Sequence, residues 1–406
     1  MNGLLIAAVC LLGFLDPAWG LPARKSQGCS ISLNEHLPKK NEPLFLIRSA
    51  NKDLKLAMPE TSGKLGSISL RPGEEVIVSC PGKQNSLGIT QEEYSSAFCH
   101  QDQQLTIKGR LFNSNMLECS HRSAAALLVT DRPCANNNGV MVELGFKVEN
   151  WHSLVEVCHN IKNSLSYYAS HTVYGSSLAG KVIQSNRPGF SRGEKIFYKG
   201  FNPDAAFSQN NQVEVFESIF GKKKTAEYFE SKKFLARGHL APDADFLYGS
   251  WQHLTYFYIN TAPQWQSINA GHWLSIENLV RKIASNRGVD LDVATGTYGV
   301  LRLRDDKNRE KEVYLQEDNR LPVPDVMWKV LHNPKDNSCI AIVASNNPFL
   351  SSPPKTLCPD ICRANNWPDL QSDFSKGYVY CCKYQDFVRA VDYAPRFMCK
   401  SVLKNE

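Results

Sequence analysis

The sequence has no second long apolar run. Beyond Leu4 to Leu15, no stretch approaches the roughly 20 apolar residues that span a membrane, so no membrane association is expected. It has no strong charge of either sign: 46 Lys and Arg face 40 Asp and Glu, a formal +6. That excess permits a polyanionic partner without demanding one. There is no Asn-x-Ser/Thr sequon, no internal repeat and no long low-complexity linker. A repeat array is therefore excluded. The chain is instead a 406-residue sequence of globular composition, 42% hydrophobic and 21% charged, with room for two domains.

The first 20 residues carry an apolar core, Leu4 to Leu15, and end in Ala18-Trp19-Gly20, a small-x-small cleavage site. This predicts a signal peptide over 1–20 and a secreted, extracellular product. Its removal takes away Asp16 and Cys10, leaving 46 basic against 39 acidic residues, a charge of +7. The remaining cysteines are even in number, half between Cys29 and Cys158 and half between Cys339 and Cys399. In an exported chain that pattern predicts disulfides, with bridges kept within each half and their connectivity open. Cys358-x3-Cys362 with Cys381-Cys382 is also compatible with zinc, but no matched histidine accompanies it.

From 21 to 147 short alternating runs, such as Leu44 to Ile47, Glu75 to Ser79 and Gly139 to Val142, are separated by Gly, Pro and Asn clusters. They predict a β-rich accessory domain. A second domain, 148–406, follows. In it Leu154 to Cys158, Tyr167 to Val173, Leu291 to Ala294, Val300 to Leu303, Val313 to Leu315, Val326 to Leu331 and Ile340 to Ala344 read as strands. Val213 to Phe220 and Lys224 to Phe229 read as helices. The cysteine-rich tail reads as a stapled cap. Lys222-Lys223-Lys224 and Lys232-Lys233 form a basic cluster, either a solvated face or a phosphate contact.

The stretch from Phe234 to Arg281 organises the rest. It runs Ala236-Arg237-Gly238-His239-Leu240-Ala241-Pro242, then His253 to Asn260, whose Thr, Tyr and Phe content predicts a strand. Asn260-Thr261-Ala262-Pro263-Gln264 and Asn269-Ala270-Gly271-His272-Trp273 follow, and then a helical pattern with a plausible end at Gly288. A neutral imidazole at His239 is the side chain best poised to accept a proton near neutrality. The Asn269 amide oxygen is either a helix cap or a ligand for a hard cation. Glu277 and Arg281 lie four apart, on one helix face. On a surface such a pair contributes only tenths of a kcal/mol; lining a site, it would hold a metal's water and offset phosphate charge. Asp243 and Asp245 are either metal ligands or, the favoured role, part of a loop or helix start; His272 fits a bystander, and Tyr248, Trp251, Trp265 and Trp273 core packing more than base stacking. One imidazole, several amides, one carboxylate and two guanidiniums suit a hard metal and a phosphodiester better than thiol or acyl-transfer chemistry.

These three motifs, in this order and ending His-Trp-x3-Glu-x3-Arg, resemble the DNA/RNA non-specific endonuclease family, the ββα-metal group that includes the Serratia nuclease. The resemblance covers about Leu154 to Cys399. Asp243-Ala244-Asp245-Phe246, Pro263-Gln264-Trp265-Gln266 and Tyr380-Cys381-Cys382 are similar to secreted arthropod members, such as crab duplex-specific nuclease and those of insect gut and saliva. It implies an α+β fold: a ββα-metal nuclease domain with a central antiparallel sheet flanked by helices, preceded by the smaller β-rich domain, and disulfide-rich. It implies His239 as general base, Asn269 as the direct ligand of Mg2+ (with Mn2+ able to substitute), Glu277 holding the ion's waters and Arg281 near the phosphate. Arg187 would stabilise the transition state, Arg237 is the motif arginine, and Asn260 and Gln264 would support the site. The substrate would be DNA and/or RNA, double-stranded forms included, cut to 5′-phosphates with little sequence specificity and with no protein partner needed. One metal suffices, in keeping with the lack of a two-metal carboxylate cluster. Ala236 departs from the Asp that many members carry before Arg-Gly-His. A catalytically silent nucleic-acid-binding protein on the same scaffold is the alternative.

Overall fold

The computed structural model describes residues 28–183, 186–230 and 233–405. The expected signal peptide at 1–20 and Lys232 of the basic cluster lie outside them. The backbone is dominated by one large sheet. Its strands are β1 (Ala126–Cys134), β2 (Gly139–Val148), β3 (Asn150–Asn160), β4 (Leu165–Val173), β7 (Leu291–Tyr298), β8 (Val326–Asn333), β9 (Ser338–Ser345) and β10 (Val379–Cys382), neighbours in that order and all antiparallel. A two-residue strand, β11 (Ser401–Val402), joins β9 in parallel. Between β4 and β7 the chain leaves the sheet to build α1 (Gln209–Phe220), α2 (Lys222–Tyr228), a two-stranded ribbon of β5 (Leu235–His239) and β6 (Thr261–Trp265), and α3 (Leu274–Arg287).

The sheet is covered on both faces, and the period-two side-chain alternation of its strands shows this. Met327 and Leu331 of β8 and Ile340, Ile342 and Ala344 of β9 enter one core with Phe216 of α1 and Ile276, Val280 and Ile283 of α3. Trp328, Val330, Ala341 and Val343 point the other way, into a second core with Phe387 of α4 (Tyr384–Ala390). Every residue of β8 and β9 is buried, as expected of strands sandwiched between layers. The fold is thus α+β, a central antiparallel sheet flanked by helices.

All six disulfides stay within their own half of the chain: Cys29–Cys99, Cys80–Cys119 and Cys134–Cys158, then Cys339–Cys399, Cys358–Cys382 and Cys362–Cys381. The last two take up the four cysteines that were compatible with zinc. Adjacent Cys381 and Cys382 face opposite sides of β10, so each staples a different layer of the tail.

The N-terminal residues form a three-stranded and a six-stranded antiparallel sheet. The large sheet also draws on residues before the expected division at 147. β1 and β2 lie within 126–148 yet belong to the large sheet, because the β2–β3 hairpin carries the ladder on through a bulge at Leu144–Gly145. The N-terminal module is docked through polar contacts as well as shared core. Glu42 accepts hydrogen bonds from the Ser250 backbone N–H at 3.3 Å and its hydroxyl at 3.2 Å, and Tyr248 Oη donates to the Ala57 carbonyl at 2.9 Å.

One expected strand is absent. Gly249–Leu254 is a helix, and Tyr258–Asn260 a single 3₁₀ turn. The Tyr256-Phe257-Tyr258 aromatics have strand propensity, but the core they enter is reached through turns; tertiary packing overrides a weak intrinsic preference.

Candidate active site

β5 and β6 pair so that Ala236 faces Gln264, Gly238 faces Ala262 and His239 faces Thr261. The ribbon feeds α3 through a short helical segment, Asn269–Trp273, kinked at Gly271. Asn269, Trp273, Glu277 and Arg281 follow at intervals of four. Gly288, in the left-handed conformation, ends α3, as its position in the sequence predicts. Two strands and a helix therefore bring the three sequence motifs together.

An open cleft of about 550 Å³ lies at their junction, lined among others by Arg187, Arg237, His239, Tyr256 and Asn269. His239 sits at its wall, flanked by Phe190 and Tyr256 at ring-centroid distances of 5.2 and 4.9 Å. Its Nε2 has no hydrogen-bond partner among the described residues. Burial lowers its pKa to about 4, with Asp243 pulling upward and Arg187 downward. The ring is thus neutral through the neutral range, as a proton acceptor must be.

The loop carrying Arg187 and Phe190 is fixed by Ser191, whose N–H donates to Tyr256 O at 2.8 Å and whose carbonyl accepts from Tyr258 N–H at 2.9 Å. Arg187 is 72% exposed, its Nε 3.2 Å from Asp243 Oδ2; the Tyr256 hydroxyl donates to the same oxygen at 2.7 Å. Arg237 has a matching partner, its Nη2 3.4 Å from Asp204 Oδ1, which also accepts from the Tyr258 hydroxyl. Its Nε donates to Tyr258 Oη at 3.0 Å, and its guanidinium carbon lies 5.6–5.8 Å from the Phe190, Phe207 and Tyr258 ring centroids.

The supporting amides act on backbone and packing. Asn260 is fully buried, and its amide donates to the carbonyls of Ala241 and Thr255 while accepting from Ala241 N–H, each at 2.9 Å. It thereby fixes the turn that follows His239. Gln264 is also fully buried, with neither amide atom partnered among the described residues. A Cβ on Gly238 would stand 2.5 Å from Gln264 Oε1 and 2.9 Å from its Cβ, so only glycine fits at this diagonal neighbour of Gln264.

Asn269 makes no N-cap: it has helical backbone angles, and Ile268 holds the N-cap position of its segment. Its Nδ2 donates to Gln266 Oε1 at 3.4 Å, which leaves the amide oxygen as the ligand-type atom. Glu277 and Arg281 are not among the residues lining the cleft; they belong to a charged cluster beneath α3. Arg281 Nη1 lies 2.7 Å from Asp245 Oδ1, and His171 Nε2 lies 2.8 Å from Asp245 Oδ2. Burial raises Glu277 to about 7, against the pull of Lys329 and Arg281 and with a further push from Asp245. Lys329, fully buried on β8, donates to Thr295 Oγ1 and lies 5.3 Å from the Trp273 ring. Lys329 and His171 escaped the sequence reading, although a lysine inside the apolar run Val326 to Leu331 was a signal for it. Trp251, Trp265 and Trp273 are buried in the core. His272 is tied to the Gly377 carbonyl at 2.7 Å.

Residues 137–387 match the family model described as DNA/RNA non-specific endonuclease. The chain belongs to that family. Members of this endonuclease family are metal-dependent nucleases, and the amide oxygen of Asn269 and the carboxylate of Glu277 are the kind of donors a hard cation takes. Relatives of this endonuclease span most of its length. A salivary endonuclease of Lutzomyia longipalpis is 33% identical over 93% of this chain and 87% of its own. The salivary protein Tsal2A of Glossina morsitans morsitans is 26% identical over 91% and 92%. A salivary endonuclease of Culex quinquefasciatus is 22% identical over 90% and 89%. Among solved structures, a chain of the EndoG/EndoGI complex aligns at 17% identity with a TM-score of 0.35, covering 63% of this chain and 91% of that one. That alignment is too loose to transfer positions.

Proposed function

We propose that this is a secreted, Mg2+-dependent endonuclease that hydrolyses DNA and/or RNA, double-stranded forms included, with little sequence specificity. The observation that carries the reading is that His239 and Asn269 line one open cleft together with Arg187 and Arg237. An imidazole, an amide oxygen and two guanidiniums around a solvent-open hollow match a phosphodiester, not a small apolar ligand. Salivary relatives and the six disulfides support export.

In the proposed mechanism, His239 takes a proton from the water that attacks phosphorus in line. Arg187 and Arg237 offset the charge that builds on the phosphoryl oxygens. Asn269 would hold the cation directly and Glu277 through water; when bound, the ion supplies Lewis-acid polarisation of the phosphate and its leaving group. The 3′ oxygen departs, leaving 5′-phosphates. Arg281 supports Glu277 and the helix through Asp245.

Incubating the purified mature chain with plasmid and with long double-stranded RNA, each with Mg2+ and with EDTA, tests this. Cutting that needs the ion and disappears in His239→Ala is expected. Well-folded protein that cuts neither substrate but binds both would replace the reading with a silent binding protein.

A further inference from the structure

Beside the cleft lies a second hollow, of about 240 Å³, lined by Pro38, Lys39, Lys40, Asn41, Glu42 and Arg122 of the N-terminal module and by Asn186, Ser250 and His253 of the nuclease domain. It exists only because the two parts dock there. Glu42, at its floor, accepts the Ser250 N–H and hydroxyl. The wall bearing Arg122 is fixed by the Cys80–Cys119 disulfide, by Cys119 N–H donating to the Asn41 carbonyl at 3.0 Å and by Ser123 Oγ donating to the Glu42 carbonyl at 2.8 Å.

The electrostatics are one-sided. Lys39, Lys40 and Arg122 are all exposed, and none joins an ion pair among the described residues, whereas many surface arginines of this chain do. The one acid in the hollow, Glu42, is buried, which raises its pKa to about 7 against its bonds to Ser250. His253 Nε2 lies 3.1 Å from the Asn186 carbonyl, and its Nδ1 is buried with no partner among the described residues. Asn186 thus lines this hollow while Arg187, the next residue, lines the catalytic cleft. Consecutive residues of one loop therefore line the two hollows.

We infer that the N-terminal module supplies a second phosphate site, Lys39, Lys40 and Arg122, which grips the backbone of a nucleic acid whose scissile bond lies in the cleft. This rests on the nuclease reading and assigns the accessory module a role in holding long substrate. Each phosphate contact to B-DNA contributes a slope of about 0.9 to the fall of log K with log salt.

The test uses the full mature chain in a His239→Ala background, so that binding is measured without cutting. Affinity for a long duplex is titrated against salt, with and without Lys39→Ala, Lys40→Ala and Arg122→Ala together. The triple substitution is expected to reduce the slope by about 2–3. In the cutting-competent chain it is expected to raise KM for the long duplex relative to that for a dinucleotide, which spans one phosphodiester. An unchanged slope and KM ratio, with wild type still cutting, would overturn this inference alone. If wild type neither binds nor cuts, the nuclease reading falls and takes this one with it.

Discussion

Arg281 Nη1 and Asp245 Oδ1 stand 2.7 Å apart where the arginine side chain is 12% exposed and the aspartate 3%. Burial pushes the Asp245 carboxyl upward, but His171, Arg281 and Lys329 outweigh it and hold the group below its usual range. The helix arginine is therefore a structural cation, the buried partner of Asp245.

Breaking a buried pair by removing one partner leaves the other charge uncompensated, at a cost of about 3–5 kcal/mol. Asp245→Asn is expected to lose stability in that range in urea unfolding, and Arg281→Ala to lose stability together with activity. An Arg281→Ala protein as stable as wild type would show that the guanidinium serves substrate alone.

The His239 environment sets a pH dependence. Its folded pKa, about 4, lies below the unfolded value of about 6.5. Its neutral form is the favoured one, so its stabilising contribution is full above about pH 6.5 and is lost as pH falls through about 4. The acid limb of kcat/KM governed by this base should accordingly lie below 6.5. Asp243→Asn removes the charge that raises the histidine and should move the limb to lower pH; Arg187→Gln removes the charge that lowers it and should move the limb up. Limbs that fail to move in opposite directions would count against His239 as the base.

What the sequence made legible was local. Trp273, Ile276, Val280 and Ala284 recur at helical spacing and Gly288 is a plausible stop, and α3 ends there. The Asp245 partner of Arg281 was not, because it sits 36 residues upstream on a turn whose direction only the fold decides. Strand propensity misled at His253 to Asn260, where aromatic residues fill the core from helical and 3₁₀ turns. The place of β1 and β2 was hidden for a different reason. Sheet membership depends on which edge a hairpin joins, and alternation along a strand carries no record of its neighbour.

Gly238 reports on how tightly the ribbon is built. An added methyl would stand 2.9 Å from the Cβ of Gln264, which is fully buried and has nowhere to retreat. Overpacking of this kind costs about 1–3 kcal/mol. Gly238→Ala should lower the unfolding midpoint and, because His239 is the next residue, lower kcat more than its stability loss alone would. A variant with wild-type kcat and midpoint would mean that β5 and β6 can part without disturbing the base.

The amide at Asn269 can be tested without turning substrate over. A ligand that binds only the folded state stabilises it by RT ln(1 + [L]/Kd), about 2.7 kcal/mol at a hundredfold excess over Kd. Adding Mg2+ to EDTA-treated wild-type protein should therefore raise Tm in proportion to the logarithm of its concentration. Asn269→Ala, whose side chain makes only one long hydrogen bond, to Gln266 at 3.4 Å, should retain the metal-free Tm and lose the Mg2+-dependent rise. Glu277→Gln should shrink the rise less, since the carboxylate would act through water and the amide retains one hydrogen-bonding oxygen. A full Mg2+ response in Asn269→Ala would show that the ion is held elsewhere.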